Sequence, residues 1–360
     1  MNKGETKMCA FDINKSERIE LEYAPEIPGL SFRRFRGEPD YPKILRVIDG
    51  SKEADGTERS DTLEDIARNY AHLHNCDPER DMLFVEINGE TVGYSRVFWE
   101  IQADGTWLGF QLCFLLPEWR RKGIGTAVMR FCEERLREIA LELIETGKIT
   151  ASSPCFYDGF VADTEIARES LFRKNGYDAV RYAFNMVRPD LENIPEAPMP
   201  PGLIVRTPQP NEYRKVWDAS NEAFQDHWGF FPMPEEEFLK WQEEPIFDPT
   251  LWRVAWDGDQ VAGMVCSFIS QNENVEYNRK RGYTENICVR RPYRRKGLAR
   301  SLLVQSLHAV KERGMEEAAL GVDAENLNGA LKLYESVGFK VVKTHTIFRK
   351  PVIVNTAKSE

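Results

Sequence analysis

Apolar residues recur along this chain with two different periods, and the switches between them mark out the elements. Residues 203–208 (LIVRTP) are a short apolar run that predicts a strand. Residues 212–224 follow with helical spacing, which puts Val216, Ala219 and Ala223 on one side. Residues 252–268 flank Asp257-Gly258 with apolar runs, the pattern of a hairpin closed by an Asp-Gly turn. TENICV, at 284–289, predicts a further strand. Residues 298–313 carry Leu303, Leu307 and Val310 on one face and stop at Gly314, as an amphipathic helix does. A strand at 318–324, a helix at 328–337 and a strand at 341–348 complete the run. The order β-α-β-β-β-α-β-α-β predicts an α/β (α+β) fold, with a mixed, mostly antiparallel sheet flanked by helices.

One stretch has neither period. Residues 189–202, PDLENIPEAPMPPG, hold five prolines. Proline fixes φ and removes a backbone donor, so this segment predicts neither helix nor central strand. The halves on either side repeat each other in punctuation and in element order. RRKGIG at 120–125 answers RRKGLA at 294–299, with Gly123 and Gly297 separated by 297 − 123 = 174 residues. Asn88-Gly89 answers Asp257-Gly258, at 258 − 89 = 169. LFRKNGY at 171–177 answers LYESVGF at 333–339, with Gly176 and Gly338 separated by 338 − 176 = 162. The expectation is an amino-terminal domain over 1–188, a proline-rich linker over 189–201 and a carboxy-terminal domain over 202–360.

Composition narrows the partners. With 42% hydrophobic and 29% charged residues the chain is globular rather than disordered. The net charge of −10 opposes nucleic-acid binding, which needs a basic face to displace counterions, and suits a cationic or neutral acceptor. Seven cysteines (Cys9, Cys76, Cys113, Cys132, Cys155, Cys266, Cys288) include no CxxC pair, and the five histidines lack metal-ligand spacing. Reduced, mostly buried thiols and no metal are therefore expected. The first fifteen residues carry charges where a signal peptide needs an apolar stretch, and no apolar run reaches about 18 residues. A cytoplasmic protein without a membrane partner is the expectation.

The chemistry concentrates in TENICVRRPYRRKGLARSLL. A β-branched strand runs into a basic, glycine-containing loop that opens directly into a helix. The first turn of a helix has N–H groups without intrahelical partners, and with the dipole they make an anion site. Gly297 and the small Ala299 let the backbone approach an anion, while Arg294, Arg295 and Lys296 add positive charge. Residues 112–129 (LCFLLPEWRRKGIGTAVM) repeat the device around Arg120, Arg121, Lys122, Gly123, Ile124 and Gly125.

R-x-x-G-x-G/A between strand and helix resembles the acetyl-CoA pyrophosphate loop of the GNAT acyltransferase superfamily, and VDAENLNGALKLYESVGF resembles its second signature. The resemblance covers nearly the whole chain, one copy on each side of the linker, and the tandem layout is similar to that of the mycothiol synthase family. It implies two GNAT folds, the carboxy-terminal one catalytic and the amino-terminal one degenerate. By this resemblance Cys288 and Val289 offer backbone groups to a pantetheine arm, and residues Arg294 to Ala299, Leu298 included, cradle the pyrophosphate. Asn326 either bonds near the pantetheine or satisfies its own turn. Tyr334 stands at the general-acid position and can donate a proton to the departing thiolate, or it packs in the core. Glu285 is a candidate base if burial raises its pKa, or a surface charge. Phe172 matches Tyr334 in the first half and cannot give a proton.

The segment that walls the acceptor site in such folds corresponds here to residues 221–232. Asp226 or Glu222 can pair with an ammonium, Trp228 can offer a π face and His227 can accept a proton. The alternative is that Phe224 and Trp228 are core residues and His227 caps a helix. The function implied is transfer of an acetyl group from acetyl-CoA to a primary amine of a small molecule. The alternatives are a non-catalytic acyl-CoA-binding module and an acetyltransferase acting on protein amino termini or lysines. The sequence carries no oligomerisation signal.

Overall fold

The computed structural model describes residues 18–326 and 329–354; Cys9, the charged amino-terminal stretch and Asn328 lie outside them. The first half contains β1 (Arg18–Ile19), β2 (Leu30–Arg33), α1 (Tyr41–Asp55), α2 (Leu63–Ala71), α3 (Pro78–Asp81), β3 (Met82–Ile87), β4 (Glu90–Ile101), β5 (Trp107–Leu115), α4 (Ile124–Glu145), β6 (Cys155–Ala162), α5 (Ile166–Lys174) and β7 (Asp178–Arg188). The second contains β8 (Ile204–Arg206), α6 (Tyr213–Phe224), α7 (Glu235–Glu243), β9 (Arg253–Asp257), β10 (Gln260–Phe268), α8 (Gln271–Glu276), β11 (Arg281–Val289), α9 (Leu298–Glu312), β12 (Glu317–Asp323), α10 (Ala330–Glu335) and β13 (Lys340–Pro351).

The described strands form one sheet in the order β1-β2-β3-β4-β5-β6-β13-β7-β12-β11-β10-β9-β8. All neighbours are antiparallel except β5 with β6 and β11 with β12. The last strand of each half is inserted into the other half: β13 lies between β6 and β7, and β7 between β13 and β12. Punctuation in the sequence separates the halves at the prolines, but the sheet does not separate there. Pairing β7 and β13 on both sides over much of their length covers two strand edges that would otherwise stand open.

Side chains lock the exchange. Arg181 on β7 makes a bidentate ion pair with Asp323 of β12, Nε to Oδ1 at 2.8 Å and Nη2 to Oδ2 at 2.7 Å. Arg188, buried at the end of β7, donates to the carbonyls of Val337 and Asn193. The proline-rich stretch has no helix or strand, yet Leu191 within it is buried, and its carbonyl accepts from Lys311 at 2.8 Å.

Amphipathic helices cover the sheet as the periodicity requires. The side of α9 carrying Leu303, Leu307 and Val310 is buried, and α4 buries Ile124, Cys132 and Leu136 in the matching place. Two elements of the second half escape the hydrophobic pattern. Helix α7 starts with Glu235, Glu236 and Glu237, charges that suit a helix N-terminus, and α8 is capped by Ser270. Both are short, and their apolar faces are too narrow to register as a period. The strand expected at 284–289 begins earlier, at Arg281, because Arg281, Gly282 and Tyr283 pair with Glu317, Ala318 and Ala319.

Six cysteines lie in the described region, all free, and Cys132, Cys155, Cys266 and Cys288 are buried. Among the described residues no cluster of three or more His, Cys, Asp or Glu could hold a metal ion, and no helix is long and apolar enough to cross a membrane.

Candidate active site

The site begins with an interruption of the ladder. Strand β11 pairs with β10 from Val289 opposite Gly263 to Tyr283 opposite Phe268, but Met264 to Cys266 spans two steps where Cys288 to Glu285 spans three. The extra residue makes a bulge at Asn286, whose φ is 47°. Pairing of β11 with β12 stops at Tyr283 and Ala319. Beyond that point the two parallel strands diverge, and a cleft of about 510 Å³ opens between them.

Glu285 enters this cleft from β11. Its Oε1 accepts from the backbone N–H of Gly321 on β12 at 3.1 Å. Burial pushes its carboxyl up to about 7, against the opposing pull of that one N–H. Tyr334 reaches the same cleft from α10. It is 6% exposed, and its ring makes an edge contact with Phe339 at 6.3 Å. Burial raises its phenol above the ordinary range, and Glu285 and Cys288 add to the shift, so it keeps its proton at neutral pH. Tyr334 is thus both a packed residue and a cleft residue.

The basic loop closes the other end. Helix α9 starts at Leu298 after Gly297, which has φ 83°, and no side chain caps it. A Cβ at Gly297 would meet nothing within 4 Å, so the space in front of this helix end is open. Arg295 precedes it at φ 63° and also lines the cleft, as do Leu298 and Ala299. The orphan N–H groups and the dipole of a 15-residue helix point into that space.

Not every expected group faces the ligand. Arg294 is committed to protein: Nε to the Val289 carbonyl at 2.9 Å, Nη1 to Asp226 at 2.7 Å and Nη2 to the Ala223 carbonyl at 3.0 Å. It buckles the loop onto the end of β11 and α6. Arg120 does the same in the first half, holding the Leu115 carbonyl at 2.8 Å and Asp55 at 2.5 and 2.9 Å. Lys296 donates to the Pro292 carbonyl at 3.0 Å. The charge around the helix end is therefore lower than a count of basic residues suggests. Cys288 and Val289 line the cleft as expected, the Cys288 thiol raised by burial to about 12, with the Val289 carbonyl already accepting from Arg294. Asn326 lines it too.

The two carboxylates expected for an ammonium are also engaged. Asp226 bonds Arg291 and Arg294, whose guanidiniums hold its carboxyl well below the usual range, and Glu222 bonds Arg290 at 2.9 Å. Trp228 has its ring under two arginines of the exchanged strands, Arg181 at 4.9 Å and Arg349 at 4.3 Å. His227 behaves differently. It is half-buried, stacks edge-on to Phe224 at 4.6 Å, and burial lowers its pKa, so its imidazole is neutral. It stands where the cleft meets a second cavity of about 430 Å³ between α6, α7 and the bulge.

The loop beside that cavity is braced from the first half. The Ala103 N–H, in the β4–β5 hairpin, donates to the Phe230 carbonyl at 3.0 Å, and Gly229 lies against the Gln102 side chain.

The first half has a corresponding cleft of about 290 Å³, lined by Arg120, Arg121, Gly123, Gly125 and Phe172. Strand β5 has no bulge: its pairing with β4 is continuous from Leu115 to Trp107. Phe172 fills the space over Gly159, where a Cβ would lie 2.1 Å from its ring. Strand pairing places Leu112 at the position of Glu285: Leu115 and Val289 face Gly93 and Gly263, and three residues further along the neighbouring strand Leu112 faces Arg96 where Glu285 faces Cys266. Neither side chain can exchange a proton.

The sequence model of the GNAT acetyltransferase family matches residues 45–152 and 214–339, one stretch in each half. The chain belongs to this family. Its relatives include a mycothiol acetyltransferase from Thermomonospora curvata, 25% identical over 312 residues that cover 86% of this chain and 94% of that one. Another, from Salinispora arenicola, is 25% identical over 317 residues, covering 87% and 94%. Among solved structures, a GCN5-related N-acetyltransferase from Sphaerobacter thermophilus superposes with a TM-score of 0.69 at 25% identity, over 90% of this chain and 96% of that one. A tandem GNAT protein from the clavulanic acid pathway gives a TM-score of 0.62 at 15% identity, over 91% and 99%, a likeness of fold. The protein is thus a GNAT-type N-acetyltransferase with two family repeats, and the family uses acetyl-CoA as co-substrate.

Proposed function

We propose that the second half transfers an acetyl group from acetyl-CoA to a primary amine of a small molecule by direct attack, and that the first half carries no turnover of its own. The observation that carries this reading is the pairing of Glu285 and Tyr334 in one cleft in front of an uncapped helix end, against Leu112 and Phe172 at the corresponding positions of the first half. The residues present suit the co-substrate. The open space at Gly297 and the first N–H groups of α9 receive the diphosphate, and the wedge between β11 and β12 receives the pantetheine arm between Cys288, Val289 and Asn326. Glu285 takes the proton from the incoming ammonium, directly or through one water. Tyr334 gives a proton to the departing thiolate. The mycothiol acetyltransferase relatives support an amine acceptor of low molecular weight.

The experiment is a pH profile of kcat/KM by thiol release. A base must be deprotonated, so activity should rise with pH through an apparent pKa near 7, where burial holds Glu285. Glu285→Gln should lower the rate and remove that acidic limb; a variant that keeps both rules the residue out as base. Stability should move the opposite way. The folded state binds this proton more tightly than the unfolded chain between the ordinary glutamate pKa of about 4.5 and about 7, so the carboxyl's contribution falls as pH rises through that window. Above it the wild type carries a buried charge, and Glu285→Gln should melt higher than wild type at pH 8.

Gly123→Glu tests the asymmetry. A Cβ at Gly123 lies 3.2 Å from Pro25, and φ is 88°, so the variant should lose some thermal stability. It should keep most turnover. Loss of activity in a folded Gly123→Glu protein would reassign catalysis.

A further inference from the structure

The second cavity speaks about the acceptor, and this step rests on the transferase reading above. It adjoins the cleft at Phe224, His227 and Asn286, so a molecule held there presents its end to Glu285 from the side of the bulge. Its apolar walls are Trp217, Phe224, Phe230, Phe231, Trp241 and Met264, and Ser220, Asn221, His227 and Asn286 add a few polar groups to the lining. Trp217 and Trp241 contact each other at 5.3 Å, and Trp241 is stacked on Trp252 at 4.8 Å, which makes this wall rigid. Polar groups at the far side are Glu237, Glu244 and Lys240. Both carboxylates already face cations of the protein: Glu237 lies 3.6 Å from Lys240, and Glu244 lies 3.9 Å from Arg68 of the first half. They leave no strong demand for a second ammonium. A polyhydroxylated body would find partners for a few hydroxyls at Ser220, Asn221 and Asn286 and would put the rest against aromatic faces that cannot bond them. An apolar body would displace water from those faces at no such cost.

We infer that the acceptor is a monoamine carried on an aromatic or branched aliphatic body, seated between α6, α7 and the Phe230-Phe231 loop with its amine at the bulge. Phe231, on the loop rather than in the core, is the residue that sets this preference.

The test uses the full chain, acetyl-CoA and four probes: phenethylamine, tryptamine, glucosamine and spermidine. Thiol release gives kcat/KM, and calorimetry with phenethylamine and with tryptamine in the presence of CoA reads binding separately. Phenethylamine or tryptamine should exceed glucosamine and spermidine in kcat/KM by at least about tenfold. Phe231→Ala should raise the KM of the preferred arylalkylamine by about tenfold, with the KM of acetyl-CoA unchanged, and Phe231→Leu should recover part of the loss. A preference for glucosamine or spermidine, or an unaltered amine KM in a folded Phe231→Ala protein, overturns the inference and leaves the transferase reading standing. Absence of calorimetric binding of both phenethylamine and tryptamine overturns it as well. Binding of phenethylamine without acetyl transfer to any probe overturns the transferase reading instead.

Discussion

Tyr334→Phe should lower kcat by about 10²–10⁴-fold, the usual range for a general acid, while acetyl-CoA binding persists. The substitution keeps the ring against Phe339 and Val337 and removes one oxygen at the cleft surface, so the protein should fold and melt close to wild type. The rate loss follows from the leaving group. A thiolate departing into a cleft with a nearby carboxylate needs a proton at the moment the bond breaks. Burial, Glu285 and Cys288 together keep that proton on Tyr334 well into the alkaline range. Wild-type activity should accordingly show no basic limb attributable to this phenol below about pH 10. Measuring kcat, the KM of acetyl-CoA and the pH profile of the variant separates the roles: a residue that only packs would change the melting temperature and leave kcat alone. A Tyr334→Phe protein with wild-type kcat would remove the proton donor from the mechanism.

Much of this was legible before any coordinates. The loop of residues 294–299 and its echo at 120–125 stand out because a glycine-bearing basic turn between a strand and a helix is a local device, written in consecutive residues. The place of Tyr334, the proposed acid, was readable for the same reason, since α10 follows β12 directly. The place of Glu285, the proposed base, was half-readable. Glu285 could be placed on a strand, but its environment depends on Gly321, 36 residues away, and on a bulge that the residue string TENICV does not announce. Asn286 was the available sign, because asparagine tolerates a left-handed backbone better than its β-branched neighbours do.

What escaped the sequence is long-range. The exchange of β7 and β13 uses two ordinary strands, and nothing in either says which half will receive it. The fates of Arg294, Asp226 and Trp228 follow from such contacts. A basic residue beside a phosphate-binding glycine looks like a ligand for the phosphate, yet Arg294 ties the loop to α6 through Asp226. Trp228 looks like a ring offered to a cation, and it is one, but the cations are Arg181 and Arg349 from the exchanged strands. The first half supplies a strand, β7, beside β12, one of the two arginines over Trp228 and a hydrogen bond to the loop at Phe230.

Gly297→Glu should abolish acetyl-CoA binding by the second half. Two effects operate, and they can be told apart. The first is conformational. Gly297 has φ 83°, and a residue with a Cβ pays about 1–2 kcal/mol to hold a left-handed backbone. The second is at the ligand. The added side chain meets no protein atom within 4 Å of its Cβ, so it projects into the space in front of α9 that the diphosphate needs. A carboxylate at roughly 5 Å from one phosphate charge costs about 3 kcal/mol at an effective dielectric of about 20, which is already a loss of more than about a hundredfold in affinity. A second phosphate and direct collision add to it. Gly297→Asn is the control, because asparagine accepts the left-handed conformation and carries no charge. Calorimetry with acetyl-CoA should rank affinity as wild type above Gly297→Asn above Gly297→Glu, with circular dichroism confirming that all three are folded. Retention of wild-type affinity at this half by a folded Gly297→Glu protein would mean that the pyrophosphate lies elsewhere, and the assignment of the loop at 294–299 would fall with it.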